Sequence, residues 1–192
     1  MSTCEWPSND PLMLEYHDTE WGTPVHDDLK WFEFIVLDAF QAGLSWRTVL
    51  HKRENFRSAF DHFDPVIVAG YDENKIQELM NNAGIIRNQV KIRSAVINAA
   101  AFLEIQREFG SFDAYIWHFT DGKTVTNNWQ SIKELPAKSE LSDKISKDLV
   151  KRGFKFVGST IIYAFLPAMG IVNDPTVDCF RYGEIVRKAL KQ

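Results

Sequence analysis

The chain has 192 residues, of which 45% are hydrophobic and 13% are aromatic. This length and composition suit one domain, or two closely packed lobes, with a substantial core. The formal net charge of −4 excludes a general attraction to polyanions, so any nucleic-acid site must be a local basic patch. The only two cysteines, Cys4 and Cys179, are too few for a disulfide scaffold.

The first ten residues, MSTCEWPSND, lack the basic and apolar regions of a signal peptide. No apolar run reaches the roughly 20 residues of a membrane span. We therefore expect a cytoplasmic protein that makes no membrane contact. No repeat or low-complexity tract divides the chain, and residues 1–192 are interpreted as a single domain.

Residues 1–30 are rich in turn-forming residues, and the spacing of the apolar residues up to Tyr16 predicts a short helix that ends near Gly22. His17 and Trp21 then lie close to Tyr16. These three rings form either one wall of a binding site or an ordinary aromatic part of the core. The residues alone leave both interpretations open.

Residues 31–50, WFEFIVLDAFQAGLSWRTVL, predict a helix, a tight turn and a second helix. The apolar face of the first helix carries Asp38 to the edge of the core or into a pocket, where a carboxylate usually has a partner or a task. Ser45 is placed to cap the second helix. The alternative is a plain helical hairpin whose turn requires Gly43.

Helix start and stop signals continue downstream, while alternating strand patterns are scarce. Further helices are predicted over residues 73–84, 85–109, 111–117 and 141–153, from 159 onward, and near the end of the chain. Residues 121–140 are polar and irregular, and serve as a connection between lobes or as a lid. The sequence thus predicts an all-α fold of about eight or more helices.

Residues 149–165, LVKRGFKFVGSTIIYAF, are the best candidate for binding phosphate. Glycines at 153 and 158 let the backbone approach a phosphate, and the helix starting around Ser159 offers free N–H groups. Local positive charge comes from Lys151, Arg152 and Lys155. This pattern resembles the helix-hairpin-helix motif, which binds the DNA backbone without reading sequence. An αα-hairpin with solvated lysines is the alternative.

Four motifs then occur in order: YHDTEWG, LDAFQAGLSWRTVLHKRENF, GIIRNQVKI and KRGFKFVGSTIIYAF. Together they resemble the 3-methyladenine DNA glycosylase I family, from Cys4 to about Tyr182. The resemblance implies an all-α, two-lobed fold with the active site between the lobes and a helix-hairpin-helix at about 145–166. It also implies a hydrolase that cleaves the N-glycosidic bond of 3-methyladenine in base excision repair, without an organic cofactor.

The resemblance implies a pocket that holds the flipped base. Aromatic rings select the cationic base, and Asp38 accepts hydrogen bonds from its nitrogens. The implied catalytic residues are Asp38, Tyr16 and Trp46. Trp21, Met13 and Gln41 complete the pocket, although Gln41 could instead cap the turn.

The implied DNA contacts are Leu44, which would fill the gap left by the flipped base, and Gly153, Lys155, Gly158 and Ser159 on the hairpin. The chain departs from the family at two pocket positions. The family usually carries Glu at Asp38 and Tyr at Met13. Both departures put the substrate range and the rate in question.

The resemblance further implies a structural zinc that ties the chain ends together through two Cys and two His. Three ligands are matched, by Cys4, His17 and Cys179. Pro175 stands at the fourth position and cannot bind a metal, so water or a neighbour such as Asp174 or Asp178 must replace it. Structural zinc sites usually have four protein ligands. A retained zinc and a metal-free cluster of one His and two buried thiols both remain open.

Two other functions stay open. One is a non-catalytic helix-hairpin-helix DNA-binding protein with altered specificity, which Asp38 and Met13 keep possible. The other is a binder of free bases or nucleosides, against which the 153–158 hairpin argues. Release of base from alkylated DNA distinguishes them from the glycosylase. The expected partners are double-stranded DNA with alkylated bases and free 3-methyladenine as product, and we expect a monomer.

Overall fold

The computed structural model describes residues 3–189, and within them eleven α-helices and two short strands. The predicted all-α fold is confirmed. The helices are α1 (Pro11–Thr19), α2 (Asp28–Gln41), α3 (Trp46–Leu50), α4 (Arg53–Ala59), α5 (Pro65–Ala69), α6 (Glu73–Asn81), α7 (Gln89–Phe109), α8 (Phe112–Trp117), α9 (Glu140–Lys151), α10 (Ser159–Ala168) and α11 (Phe180–Ala189). Three 3₁₀ turns lie at Asp61–Phe63, His118–Thr120 and Ile132–Glu134.

Most helices begin at a side chain that accepts hydrogen bonds from the first free backbone N–H groups. The predicted cap Ser45 is confirmed at the start of α3, and Asp64 and Asp72 cap α5 and α6 in the same way. Two predicted boundaries were wrong. Helix α6 ends at Asn81, before residue 84, and α7 starts at Gln89 because Asn88 caps it through Lys91 N.

Helix α2 is the centre of the fold, because every residue from 31 to 40 is buried. It packs against α3, α7, α8 and α10. At its C-terminus, Lys91 Nζ donates to the carbonyl oxygens of Phe40 and Ala42. This cation satisfies carbonyls that the helix itself leaves free and fixes the turn that follows.

A buried ion network joins α1, α2 and α4. The Arg53 guanidinium donates through Nε to Glu33 Oε1 at 2.7 Å and through its two terminal nitrogens to Glu20, also at 2.7 Å. Its carbon Cζ lies 5.1 Å from the ring centre of Phe34. Removing one partner of a buried ion pair costs about 3–5 kcal/mol. The network therefore fixes α1, α2 and α4 relative to one another beside the ring of Phe34.

Two short strands, β1 (Val125–Thr126) and β2 (Val172–Asn173), pair in parallel, with Val125 opposite Val172. Sequence patterns did not indicate this pairing, since two residues carry no alternation. It brings the irregular 121–140 segment against the chain that follows α10. In that chain, Gly170 has φ +74°, and a Cβ there would lie 2.3 Å from Pro24 N, so the close crossing requires glycine.

No helix within residues 3–189 is both long and apolar enough to cross a membrane.

Candidate active site

A cavity of about 250 Å³ opens beside the C-terminal half of α2. Its wall combines residues of α1, α2, α3 and α10 with residues of loops. They are Trp6, Tyr16, Trp21, Asp38, Gln41, Trp46, Leu135, Tyr163, Ala164, Pro167, Ala168 and Asp174. The size suits a small planar ligand, and most of the wall is apolar or aromatic.

Aromatic rings pack on one another along one side of this cavity. The ring centres of Tyr16 and Trp46 are 5.3 Å apart, and Trp46 stacks on Phe34 at 5.8 Å with an interplanar angle of 29°. Trp6 meets Trp21 edge to face at 5.2 Å. Such packing holds the rings rigidly and presents electron-rich surfaces, which attract a flat or cationic ligand.

Asp38 lies near the end of α2 and is only 5% exposed. Its Oδ2 atom has no hydrogen-bond partner in residues 3–189. Burial raises the pKa of Asp38 to about 8. Burial, followed by the nearby charge of Asp38, also raises the pKa of Tyr16. Burial therefore favours the neutral carboxyl group over the carboxylate.

Unpaired polar atoms are concentrated on this wall. Buried polar atoms normally have partners, and each exception calls for an explanation. Within the described part of the chain, five of the buried side-chain atoms that lack a partner belong to cavity residues: Trp6 Nε1, Asp38 Oδ2, Trp46 Nε1, Tyr163 OH and Asp174 Oδ2. Three are donors and two are carboxylate oxygens, which is the pattern of a site prepared for a polar ring.

The structure brings five predicted site residues together on the cavity wall: Asp38, Tyr16, Trp46, Trp21 and Gln41. It places Met13 elsewhere. This side chain is 5% exposed and packs in the hydrophobic core, and it is not among the residues of the cavity wall. The turn after α2 has Gly43 at φ +78°, and Leu44 follows it with 44% of its surface exposed.

Among the wall residues that carry an unpaired polar atom, sequence reasoning missed Trp6, Tyr163 and Asp174. Trp6 lies in the turn-rich segment before α1, where no periodic pattern assigns a side chain to a site. Tyr163 lies on α10, one turn beyond the hairpin. The helical period of α10 places it on the same side as Ala164 and Pro167, which is the side that faces the cavity. Asp174 was predicted only as a possible metal ligand. Its position on the wall depends on the β1–β2 pairing, which no local sequence pattern predicts.

Helices α9 and α10 are joined by a loop over residues 152–158. Gly153 has φ +97°, and Gly158 is exposed at the cap of α10. The loop is held from below, since Asn98 on α7 accepts from Lys155 N at 2.7 Å and donates to Lys155 O at 3.0 Å. The exposed Lys155 side chain and the start of α10 at Ser159 therefore face outward on a rigid support.

Arg152 does not contribute free positive charge to this loop, contrary to the prediction. Its guanidinium pairs with Asp148 at 2.7 Å and with Glu108 at 2.6 Å. It also lies over the rings of Phe109 and Tyr115. Its charge is neutralised within the fold, which leaves Lys151 and Lys155 as the exposed cations at the hairpin.

Cys4, His17 and Cys179 converge where the N-terminal segment meets the start of α11. Their candidate ligand atoms all lie within 4.8 Å of one another, and Cys179 Sγ is 3.5 Å from His17 Nε2. The other ring nitrogen, His17 Nδ1, lies 2.7 Å from Asp18 Oδ1, as is usual for a histidine that binds a metal. Asp174 does not join the group, because Asn127 and Trp129 hold it. The three residues present fit a metal ion.

The fold and the cavity define a helical protein that binds a flat, polar ring in an aromatic pocket next to an exposed helix–loop–helix. The sequence matches the methyladenine glycosylase family over residues 6–182. DNA-3-methyladenine glycosylase 1 of Escherichia coli (strain K12) is 46% identical over 182 residues, which are 95% of this chain and 97% of the relative. The chain therefore belongs to the methyladenine glycosylase family, and the resemblance seen in its motifs is confirmed.

Solved structures agree with this assignment. A crystal structure of 3-methyladenine DNA glycosylase I aligns with a TM-score of 0.90 at 46% identity and covers 93% of this chain and 98% of that one. The Staphylococcus aureus 3-methyladenine DNA glycosylase I, solved to show how it recognises 3-methyladenine, aligns with a TM-score of 0.90 at 33% identity. That alignment covers 94% of this chain and 96% of the Staphylococcus chain.

The raised pKa of Asp38 predicts a specific dependence of stability on pH. Folding raises this pKa from 3.8 to about 8. The proton-linked stabilisation is complete below the lower value and is lost as the pH rises through the higher one. Asp38→Asn cannot ionise and lacks this loss. As the pH rises from about 4 to about 9, the free energy of unfolding of the variant should therefore increase relative to that of the wild type by up to about 5 kcal/mol.

Urea unfolding across this pH range measures the difference directly. Asp121→Asn, which changes an exposed acid, is the matched control and should run parallel to the wild type. Parallel profiles for Asp38→Asn and the wild type would show that Asp38 is ionised in the folded protein.

Proposed function

We propose that this protein is a DNA glycosylase that flips 3-methyladenine out of alkylated DNA and hydrolyses its N-glycosidic bond. The single observation that carries this proposal is Asp38, a buried carboxyl group with an unpaired oxygen on the wall of an aromatic cavity. An unpaired buried acid costs free energy in the empty protein. A bound cationic base would offset that cost, because its positive charge stabilises the buried carboxylate.

The chemistry follows from the charge of the alkylated base. Methylation at N3 makes the purine cationic, so it is drawn to the electron-rich faces of Tyr16 and Trp46. Asp38 releases its proton to solvent water when this cation enters, and the carboxylate then accepts hydrogen bonds from the base. Because a cationic purine is already a good leaving group, the protein needs recognition and electrostatic stabilisation rather than a strong general acid.

The aspartate at position 38 has a shorter arm than the glutamate usual in the family. The surrounding wall nevertheless keeps the predicted aromatic residues Tyr16, Trp21 and Trp46 in place. We infer that the activity is retained and that the carboxylate lies about one methylene, roughly 1.5 Å, farther from the base. This favours the enzyme over the non-catalytic DNA-binding alternative.

For DNA binding we propose the α9–α10 hairpin and the α2–α3 turn. Gly153, Gly158 and the backbone N–H groups at Ser159 would contact phosphates, and Lys155 would add charge. The exposed Leu44 would enter the gap left by the flipped nucleotide. In this proposal, residues 1–192 form one glycosylase domain of two lobes, and the cavity lies between them.

We also propose that Cys4, His17 and Cys179 hold a structural zinc. The convergence of their ligand atoms and the Asp18 contact behind His17 support this assignment. Bound zinc would join the N-terminal segment to the start of α11. Pro175 cannot serve as a ligand and Asp174 is held by Asn127 and Trp129, so the fourth position falls to water or to Asp178.

Asp38→Asn should lower the rate of base excision far more than it lowers binding to undamaged DNA, because the amide cannot gain a negative charge. Removing such an electrostatic contact costs about 100-fold or more in rate. Asp38→Glu should keep or raise the rate, since it restores the longer arm. Single-turnover release of 3-methyladenine from methylated duplex DNA measures all three proteins. Equal rates for the wild type and Asp38→Asn would remove this residue from the mechanism.

Gly158→Asp should weaken binding to damaged and undamaged duplex DNA alike, because it places a negative charge against phosphate. A Cβ at Gly158 would meet nothing within 4 Å, so the fold should tolerate the change. Gly158→Asn adds the same bulk without charge and is the matched control. Titration of fluorescent duplex at two salt concentrations is the measurement. Slower base release with unchanged duplex affinity would contradict the role of the hairpin.

Chelation should lower the melting temperature if zinc is bound, since the free energy of metal binding then contributes to folding. Elemental analysis should find one zinc per chain, and Cys179→Ala should abolish both the zinc and the response to chelator. Ala100→Ser, on the exposed side of α7 away from the three residues, serves as control. Purified protein without zinc and without a melting response would leave His17 as a hydrogen-bonded core residue.

A further inference from the structure

Asp174 is a second buried acid on the wall of the cavity, and its position is fixed from one side. It follows β2 directly and is 1% exposed. Its Oδ1 atom accepts from Asn127 Nδ2 at 2.7 Å and from Trp129 Nε1 at 2.8 Å. Both donors come from the irregular segment that β1 brings alongside β2, where Asn127 N also donates to Asn173 O at 3.2 Å. One oxygen of this carboxylate is thus fully occupied.

The Asp174 carboxylate also lies close to the hydroxyl of Tyr163. Asp174 Oδ2 is buried and has no hydrogen-bond partner among the residues that the structure describes, and the same holds for the hydroxyl of Tyr163 on α10. Both residues line the cavity that contains Asp38. Burial, and then the neighbouring carboxylate of Asp174, raise the pKa of Tyr163, so its hydroxyl remains a donor. The wall therefore presents an acceptor beside a donor.

We propose that Asp174 and Tyr163 form a specificity-determining contact that selects an adenine edge over a guanine edge. Adenine presents an amino donor at N6 beside an acceptor nitrogen, which matches this acceptor and donor. Guanine presents the O6 acceptor in place of the amino group, and that oxygen would face the Asp174 carboxylate. The inference rests on the proposed function, because it assumes that an alkylated purine occupies the cavity.

The competing explanation is that Asp174 only anchors the 121–140 segment. The chain offers variants that separate the two roles. In Asp174→Asn the amide oxygen can keep the contacts to Asn127 and Trp129, while an N–H group replaces the free oxygen on the cavity side. Asn127→Ala and Trp129→Phe each remove one anchoring donor and leave the cavity oxygen in place. Tyr163→Phe removes only the hydroxyl, which lies beside the Asp174 carboxylate.

The experiment measures the affinities of free 3-methyladenine and free 3-methylguanine by titration calorimetry for the wild type and the four variants, together with their melting temperatures. The wild type should prefer 3-methyladenine. Asp174→Asn should reduce that preference about tenfold or more, which is the discrimination expected of a well-placed pair of hydrogen bonds. Tyr163→Phe should weaken 3-methyladenine binding several-fold without lowering the melting temperature. Asn127→Ala and Trp129→Phe should lower the melting temperature and keep the preference.

An unchanged preference in Asp174→Asn would overturn the inference, as would an equal loss in Asn127→Ala or Trp129→Phe. If Asp174→Asn does not fold, Tyr163→Phe decides, and unchanged affinity for 3-methyladenine in that variant overturns it. A wild type that binds neither base would also overturn it. A wild type that binds 3-methyladenine but releases none from methylated DNA would contradict the proposed glycosylase activity. In that case the ratio of the two affinities would still test whether Asp174 and Tyr163 select adenine.

Discussion

The carboxyl group of Asp38 is buried on the central helix without a partner for one of its oxygens, and the helices packed around α2 hold it there. Desolvating such a group costs several kcal/mol if it is ionised, so the empty protein keeps it neutral. Helix α2 can carry it because the helix is buried all round and cannot turn the side chain out to water. Lys91 binds the carbonyl oxygen of Phe40 at the end of this helix and so helps to fix the position of Asp38 in the cavity.

Two acids on the same helix show how environment assigns a role. Glu33 and Asp38 are both buried, at 4% and 5% exposure. Glu33 is paired with Arg53 and Arg57, which neutralise its charge and join α2 to α4. Asp38 faces the other way, into aromatic rings, and no cation within residues 3–189 pairs with it. The first is therefore a structural residue, and the second remains available for a ligand that brings its own charge.

The helices and the main site residue were accessible to sequence reasoning because their signals are local. Helix caps such as Ser45 and Asp72 satisfy N–H groups only three residues away, and the helical period of residues 31–38 is enough to carry Asp38 inward. Asp174 was not accessible in its pocket role, because two-residue strands from distant segments place it there. Met13 went to the core and Arg152 to an ion network for the same reason: which partner a side chain finds is decided by tertiary packing.

The central claim is that Asp38 is a neutral acid in the free protein and becomes a carboxylate when the cationic base binds. Infrared difference spectroscopy of the wild type and Asp38→Asn at neutral pH tests it, with and without duplex DNA that carries a non-hydrolysable analogue of the methylated nucleotide. We predict a protonated-carboxyl C=O band in the free wild type that is absent from the variant and is replaced by a carboxylate band on binding. A free protein without that band, or a band that survives binding, would contradict this account.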